Sequence, residues 1–344
     1  MYYHKMSFNK KILIENLEIS KKKLVVIAEA GVNHFGDFLK MKKLIDLAAK
    51  AKADIFKTQF YKTDELISKV DKKWHKRMLI KEVNLNFIKK SQKYAKKKGL
   101  VFMCTPHDDV ALSLMDELNL SAYKIGSGEK GNFNFLSKII SKKKPIIIST
   151  GLHKIDEIEK LVFFLKKKKA RDVVLLHCIT SYPTPLNEVD INNIVYLEKK
   201  FKILVGYSDH TNSFLPSYLA VSRGACIVEK HITLDYNIRD AQDWKVSAGP
   251  DNFEEFVKNL KMIKPILGEE KKKIKNCEKA SMSWALKRLV AAKNLNKNMI
   301  LKIEDLKFKR INSGIEVQNF KKIIGKRIKK NIKQDHPIFI KDLY

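Results

Sequence analysis

The sequence predicts an α/β protein: a (β/α)8 barrel of the TIM type followed by a small β-rich domain. Three observations carry that prediction. Eight short apolar runs recur at near-even spacing, at residues 24–28, 53–56, 100–103, 122–125, 145–148, 173–176, 203–205 and 226–228. Helix-sized amphipathic segments alternate with them, which implies βα units and a parallel sheet. At or just past the ends of these runs stand residues able to do chemistry: Glu29, Lys57, Thr105, Lys124, Ser149, His177, Ser208 with His210, and Glu229 with His231. Barrel active sites gather at the C-terminal ends of the strands, so this placement points to function as well as fold.

The elements follow in order. Residues 1–23 form a lead-in, with 11–14 and 17–19 as a hairpin closing the barrel bottom. Asp37 is the expected N-cap of a helix running to Ala51, with Leu39, Leu44, Leu47, Ala48 and Ala51 facing inward. Helical spacing is clearest in Ile155, Ile158, Leu161, Val162 and Leu165. Further helices are expected at 86–98, 109–119, 134–141, 192–200, 213–223 and 252–266. With 344 residues the chain exceeds the ~250 of one barrel. The expected division is a barrel at 1–268, a Lys-rich linker at 269–280 and a second domain at 281–344. That tail has short segments at 289–292, 303–306 and 337–341 parted by turn-like NKN and NSG, and no motif of its own.

The net charge is +31, from 69 basic and 38 acidic residues, which raises the question of nucleic acid or anionic membrane as a partner. Only seven of the basic residues are Arg, the type preferred for bidentate phosphate and base contacts. The lysine runs at 21–23, 96–98, 142–144, 166–169 and 271–273 recur at helix ends and loops throughout the chain, where a binding footprint would concentrate them. The expectation is therefore a solvated surface, with no nucleic acid and no membrane partner. Cys104, Cys178, Cys226 and Cys277 are too far apart for a CxxC motif and read as reduced thiols. The N-terminus lacks the apolar core of a signal peptide, and no run reaches the ~18 residues of a membrane span, so the expected location is cytoplasmic.

His210 and His231 are the strongest pair. They follow neighbouring seventh and eighth strands, in GYSDHT and VEKH, so both imidazoles can converge on one ion. A two-His site completed by oxygen ligands suits Mn, Mg, Zn or Co. Lys57, Thr105, Lys124, Ser127 and Ser149 form an anion-binding set, since KIGSGE and STG bring backbone N–H groups and hydroxyls to a strand end or helix start. Two lysines inside a barrel mouth call for an anionic ligand or for carboxylate partners. Glu29 and Glu129 either transfer protons or neutralise those lysines. Gln59 and Tyr182 read as orienting hydrogen-bond groups, and His177, Cys104 and Cys178 as interior packing or hydrogen-bonding residues.

Taken together, IAEAGVNHFGD (27–37), KTQ (57–59), TPHD (105–108), KIGSGE (124–129), STG (149–151), LLHC with YPTP (175–185), GYSDHT (206–211) and EKHITLD (229–235) resemble the N-acetylneuraminate (sialic acid) synthase family, which includes legionaminic and pseudaminic acid synthases. Residues 291–315 and IGKRI (324–328) resemble its C-terminal antifreeze-like SAF domain. The resemblance implies condensation of phosphoenolpyruvate with an N-acylated amino-sugar aldehyde such as N-acetylmannosamine, releasing phosphate by C–O cleavage. It implies Mn2+ or Mg2+ on His210 and His231, and phosphoenolpyruvate on Lys57, Thr105, Lys124, Ser127 and Ser149. Glu129 matches the acid that handles protons or water at C2, with Glu29 close by. Gln59, Tyr182 and Asp243 match sugar-contacting positions. Arg310 matches an arginine that reaches a neighbouring subunit's sugar, which implies a domain-swapped homodimer.

The chain departs from that pattern at His107, Thr180, Ile311 and the run 239–250, where Trp244 stands for a histidine and one residue is inserted. These changes leave the acceptor open between N-acetylmannosamine and a diacetamido hexose. A 3-deoxy-heptulosonate-type synthase is the other enzyme reading, and the SAF-like tail argues against it. A polynucleotide-binding protein is the non-enzymatic reading.

Overall fold

The structure, a computed structural model, describes residues 6–238 and 241–344. The start of the lead-in and the first two residues of the 239–250 run lie outside the described residues. The chain forms two compact units, Met1–Gly268 and Glu269–Tyr344.

The first unit is the barrel. A hairpin, β1 (Lys11–Ile14) and β2 (Leu17–Ser20), precedes eight strands: β3 (Val25–Glu29), β4 (Ile55–Phe60), β5 (Val101–Pro106), β6 (Tyr123–Ile125), β7 (Ile146–Ser149), β8 (Val173–Cys178), β9 (Leu204–Asp209) and β10 (Ile227–His231). Seven neighbouring pairs among the described residues are joined by parallel ladders, β10 pairing with β3, and β5 lies beside β6 to complete the ring. Each strand begins at or near its predicted apolar run. Most extend past it to take in the polar residues, because a residue facing into the barrel mouth keeps its backbone in the ladder whatever its side chain.

Alternation along the strands sorts two cores. Val25, Ile27, Ile55, Met103, Ile147, Val174, Leu176 and Ile227 point inward and pack with Ile12, Ile14 and Ile19 of the hairpin, which plugs the bottom as expected. Val26, Phe56, Phe102, Ile148, Val205 and Val228 point outward against the helices. Gly206 is required by the inner packing: a Cβ there would lie 2.7 Å from both the Ile227 carbonyl oxygen and Leu176 Cδ2.

The helices are α1 (Phe38–Lys50), α2 (Thr63–Leu66), α3 (Lys72–Leu79), α4 (Leu85–Lys97), α5 (Asp109–Leu114), α6 (Phe133–Ser141), α7 (Ile155–Lys167), α8 (Asn193–Phe201), α9 (Leu215–Ser222) and α10 (Phe253–Leu267). Asp37 caps α1 by accepting from the N–H groups of Leu39 and Lys40 at 2.7 and 3.2 Å. Leu39 itself is 68% exposed, a correction to its expected inward face, and Met41 and Ile45 are buried with Leu44 and Leu47. The helix expected at 109–119 becomes 3-10 after Leu114 and stops at Asn119, whose φ of +43° is left-handed. Helices α2 and α3 add to those the sequence predicts. They interrupt the connection between β4 and α4, and α3, eight residues long with none of them buried, carries only Trp74 and Met78 one turn apart among mostly basic residues, too short a stripe to announce a helix in sequence.

In the second unit, α11 (Met282–Ala285) leads to an antiparallel pair, β11 (Lys287–Ala291) and β12 (Leu306–Arg310). Leu289, Leu301, Leu306, Ile323, Ile328 and Ile338 form its core. Of the segment expected at 303–306, three residues form a 3-10 turn, Ile303–Asp305, that feeds β12. No helix among the described residues is long and apolar enough to cross a membrane.

Candidate active site

The inward-facing series that is apolar at the barrel bottom turns polar at the top. Glu29, Lys57, Gln59, Thr105, Lys124, Ser149, Cys178, Ser208, Glu229 and His231 line one cavity of about 400 Å³. Glu229 sits at its centre. Its Oε1 accepts from Ser208 Oγ at 3.1 Å and lies 3.5 Å from Lys124 Nζ, and its Oε2 lies 3.7 Å from Lys57 Nζ. Burial alone would raise its pKa, but Lys124 and Lys57 outweigh burial and hold the carboxyl well below the usual carboxylate range.

The two lysines differ. Lys57 forms a 2.7 Å ion pair with Glu29 Oε2 and has Glu229 beyond it; against the cost of burial, these two carboxylates hold its pKa above the ordinary lysine value. Lys124 donates to Ser149 Oγ at 2.8 Å. Burial and the charge on Lys57 push its pKa down despite Glu229. Two ammonium groups and two carboxylates therefore balance in charge within the cavity wall, while Thr105 Oγ1, 3.4 Å from Lys57 Nζ, and the Ser127 and Ser149 hydroxyls add neutral donors. Gln59 Nε2 donates to Glu29 Oε1 at 3.0 Å and fixes that carboxylate from the other side.

His210 and His231 come together on the opposite wall with ring centroids 5.6 Å apart. His210 Nδ1 is held by the Ile179 carbonyl at 2.7 Å, which leaves Nε2 toward the Tyr182 hydroxyl at 3.1 Å. Tyr182 stacks on the His210 ring at 4.2 Å. His231 Nδ1 is buried with no hydrogen-bond partner among the described residues, and the nearest carboxylate oxygen, Asp243 Oδ2, is 3.6 Å away. Burial keeps His231 below its ordinary pKa, so it is a neutral donor. An orphaned imidazole nitrogen, a second imidazole oriented by a backbone carbonyl and a nearby carboxylate suit a divalent cation with open positions. Among the described residues no group of three or more His, Cys, Asp or Glu is placed to hold a metal ion, so a cation here would rest on the two imidazoles and on oxygen ligands from outside the protein.

The loop after β3 is built to hold this wall. Gly31 has a φ of +52°, and a Cβ on it would stand 2.6 Å from Asp243 Oδ2. Asn33 donates to the Ile232 carbonyl at 2.9 Å and to Ser247 Oγ at 3.3 Å, tying the loops after β3 and β10 together. In GYSDHT, Asp209 faces away from the cavity, accepting from Thr211 and Ser217 and pairing with the buried Lys230 at 3.3 Å.

Not every expected residue shares the cavity. Glu129 follows β6 but lines a neighbouring cavity with Phe133, Leu136 and His153, and accepts from Asn132 at 2.8 Å. Burial raises its pKa. Arg310 ends β12 of the second unit and is exposed. His177 faces outward, bonded to the Val189 carbonyl at 2.7 Å, and Cys104 packs in the outer core. Cys178 does not pack there: it lines the cavity, 3.6 Å from His210 Nδ1.

The cavity also holds residues to which the sequence assigns no role, Glu229 and a helix-borne group among them. Glu229 stands in the sequence as a strand-end residue, and the period-2 face it shares with Ile227 and His231 is the signal that turns it into the cavity. Trp74, Arg77, Met78 and Lys81, on and after α3, also line the cavity, and a two-turn basic helix gives no sign in sequence of which part of the barrel it folds back over.

The NeuB family profile matches residues 44–272. The chain belongs to the NeuB family. An SAF domain matches residues 288–343. The chain is 38% identical to the N,N'-diacetyllegionaminic acid synthase of Campylobacter jejuni, over 92% of this chain and 99% of that one. It is 32% identical to a pseudaminic acid synthase of the same species, over 90% of this chain and 94% of that one. Among solved structures it is similar to N-acetylneuraminic acid (sialic acid) synthetase from Leptospira borgpetersenii in complex with citrate, with a TM-score of 0.74 and 32% identity over 80% of this chain and 96% of that one. The resemblance drawn from the motifs is thus borne out, and with it the reading as a phosphoenolpyruvate-dependent sugar-acid synthase.

Proposed function

We propose that this NeuB-family enzyme condenses phosphoenolpyruvate with an N-acylated amino-sugar aldehyde to give a nonulosonic acid and phosphate. The supporting observation is one cavity that carries an anion cradle on one wall and two imidazoles 5.6 Å apart on the other.

Lys57, Lys124, Thr105, Ser127 and Ser149 hold the carboxylate and phosphate of phosphoenolpyruvate. Its C3 attacks the aldehyde carbon, water adds at C2, and the C2–O bond breaks to release phosphate. The water oxygen becomes the C2 carbonyl, so the water gives up both its protons, one in balance to the aldehyde oxygen and one to the departing phosphate. Glu29 is placed for such transfers beside Lys57 and Gln59. Glu129, whose raised pKa suits a proton carrier, reaches the same space only by turning from Asn132 toward the Gly126 and Ser149 wall that the two cavities share. Gln59, Tyr182 and Asp243 orient the sugar. His210 and His231 would hold a divalent cation, Mn2+ or Mg2+, which when bound polarises a carbonyl oxygen of the acceptor.

The second unit supplies Arg310 to the N-acyl group of a sugar bound by a neighbouring subunit, so the working enzyme is a homodimer. It acts in the cytoplasm, where phosphoenolpyruvate is made. The 38% identity to a diacetyllegionaminic acid synthase favours a diacetamido hexose over N-acetylmannosamine as acceptor. Incubation with phosphoenolpyruvate, Mn2+ and a panel of N-acylated hexoses, reading phosphate and product mass, tests the proposal. Release of phosphate coupled to a product three carbons longer than the sugar supports it; no coupled product with any acceptor refutes it.

A further inference from the structure

We propose that His107 is an additional ligand for the anionic end of phosphoenolpyruvate, contributing a neutral imidazole to the cradle. The inference rests on the function proposed above and names a residue that neither the sequence reading nor that function assigns.

His107 follows directly from β5, whose Thr105 already faces the cavity, and it lines the same space as Lys57, Lys124 and Ser127. Its backbone N–H is bonded to the Phe60 carbonyl at 3.1 Å, and its ring meets Tyr61 edge-on at 6.5 Å, so the side chain has a fixed origin and one packed face. The ring lies at the start of the phosphate-type turn: Cε1 is 3.7 Å from where a Cβ on Gly126 would stand. Its Nε2 is buried and has no hydrogen-bond partner among the described residues. A buried polar nitrogen left without a partner is costly, and native structures rarely keep one without a reason. Burial first, and then the charges on Lys57 and Lys124, hold its pKa down at about 4.

Those facts fix the chemistry. A neutral ring at physiological pH has one N–H to give and adds no third positive charge beside the two lysines. Nε2 is shielded from solvent in this structure, so a phosphate or carboxylate oxygen resting on the lysines meets it by a turn of the ring and then supplies the acceptor it lacks. His107 lines the cavity with Thr105, Lys57 and Lys124, the residues given to phosphoenolpyruvate above, and the charges of both lysines reach its ring, so the ligand we assign to it is phosphoenolpyruvate rather than the sugar.

Three variants of the full-length protein test this: His107→Phe keeps a ring without nitrogen, His107→Gln keeps an N–H donor, and His107→Ala removes both. Direct titration of phosphoenolpyruvate against each protein, without acceptor, gives Kd; phosphate release with saturating acceptor gives KM and kcat. The expected result is a rise of about tenfold in Kd and KM for phosphoenolpyruvate in His107→Phe, the worth of one hydrogen bond to a charged group, with acceptor KM unchanged. His107→Gln recovers at least half of that loss on a logarithmic scale. Equal phosphoenolpyruvate affinity in wild type and His107→Phe overturns the inference, as does a change confined to acceptor KM. A wild-type enzyme that binds phosphoenolpyruvate but turns over no acceptor refutes the proposed reaction while leaving the binding test intact.

Discussion

Lys57 and Glu29, 28 residues apart in sequence, meet in a 2.7 Å ion pair with side chains only 3% and 0% exposed. Adjacent parallel strands bring them together, Glu29 standing directly opposite Lys57 in the β3–β4 register. Such a pair is costly to build and more costly to break from one side, because the surviving charge is left without water or partner. Lys57→Met should therefore destabilise the barrel by about 3 kcal/mol, read as a lower urea midpoint, and abolish phosphate release. A Lys57→Met protein as stable as wild type would show that Glu29 finds another partner or takes up a proton at little cost.

The two-imidazole wall predicts a different phenotype. His210→Ala or His231→Ala should lose divalent-cation binding, followed by Mn2+ titration with electron paramagnetic resonance, and lose turnover with it. Circular dichroism should be unchanged, since neither ring belongs to the apolar cores. Retained activity in either variant would remove the cation from the site.

The pH profile should follow Lys124. In the proposed reaction this lysine must be protonated to hold the anion, so phosphoenolpyruvate capture should be full below its pKa and weaken above it. Burial and the neighbouring Lys57 depress that pKa, so the loss comes at a lower pH than an ordinary lysine would give. Lys124→Arg should shift the alkaline limb of kcat/KM upward, whatever it does to the plateau. An alkaline limb at the same pH in both proteins would assign it to another group.

Arg310 can be tested by complementation. Alone, Arg310→Ala should raise acceptor KM and leave phosphoenolpyruvate KM unchanged. Co-expressed with His210→Ala, it should regain activity if each arginine serves the neighbouring subunit, because a mixed dimer then holds one intact site. A mixture as inactive as its parts, with mixed dimers confirmed by mass, would confine Arg310 to its own subunit.

Packing at the barrel centre gives a prediction independent of function. Gly206→Ala places a methyl group 2.7 Å from the Ile227 carbonyl and from Leu176 Cδ2. Of these neighbours the carbonyl is backbone and cannot swing aside, so overpacking should cost about 1–3 kcal/mol, seen as a lower Tm.

The barrel, its strand positions and most of the residues that line its cavity were legible in the order of amino acids. Eight apolar runs with polar ends need only period-2 alternation and a closed ring to turn Glu29, Lys57, Thr105, Lys124, Ser149 and His231 inward together, and the same alternation would have included Glu229. Tertiary structure decided what pairing and orientation fix. It gave Lys57 two carboxylates and left Lys124 sharing one of them, so two like residues acquire opposite pKa shifts. It turned His177 and Asp209 outward although each sits within a residue or two of a site group, because neighbours on a strand face opposite sides of the sheet. It turned Glu129 to a separate cavity and brought the helix at Lys72–Leu79 over the first, since a short polar segment carries no pattern that says where it will fold back. Linear spacing encodes which face a side chain takes; distance between charges exists only once the ring has closed.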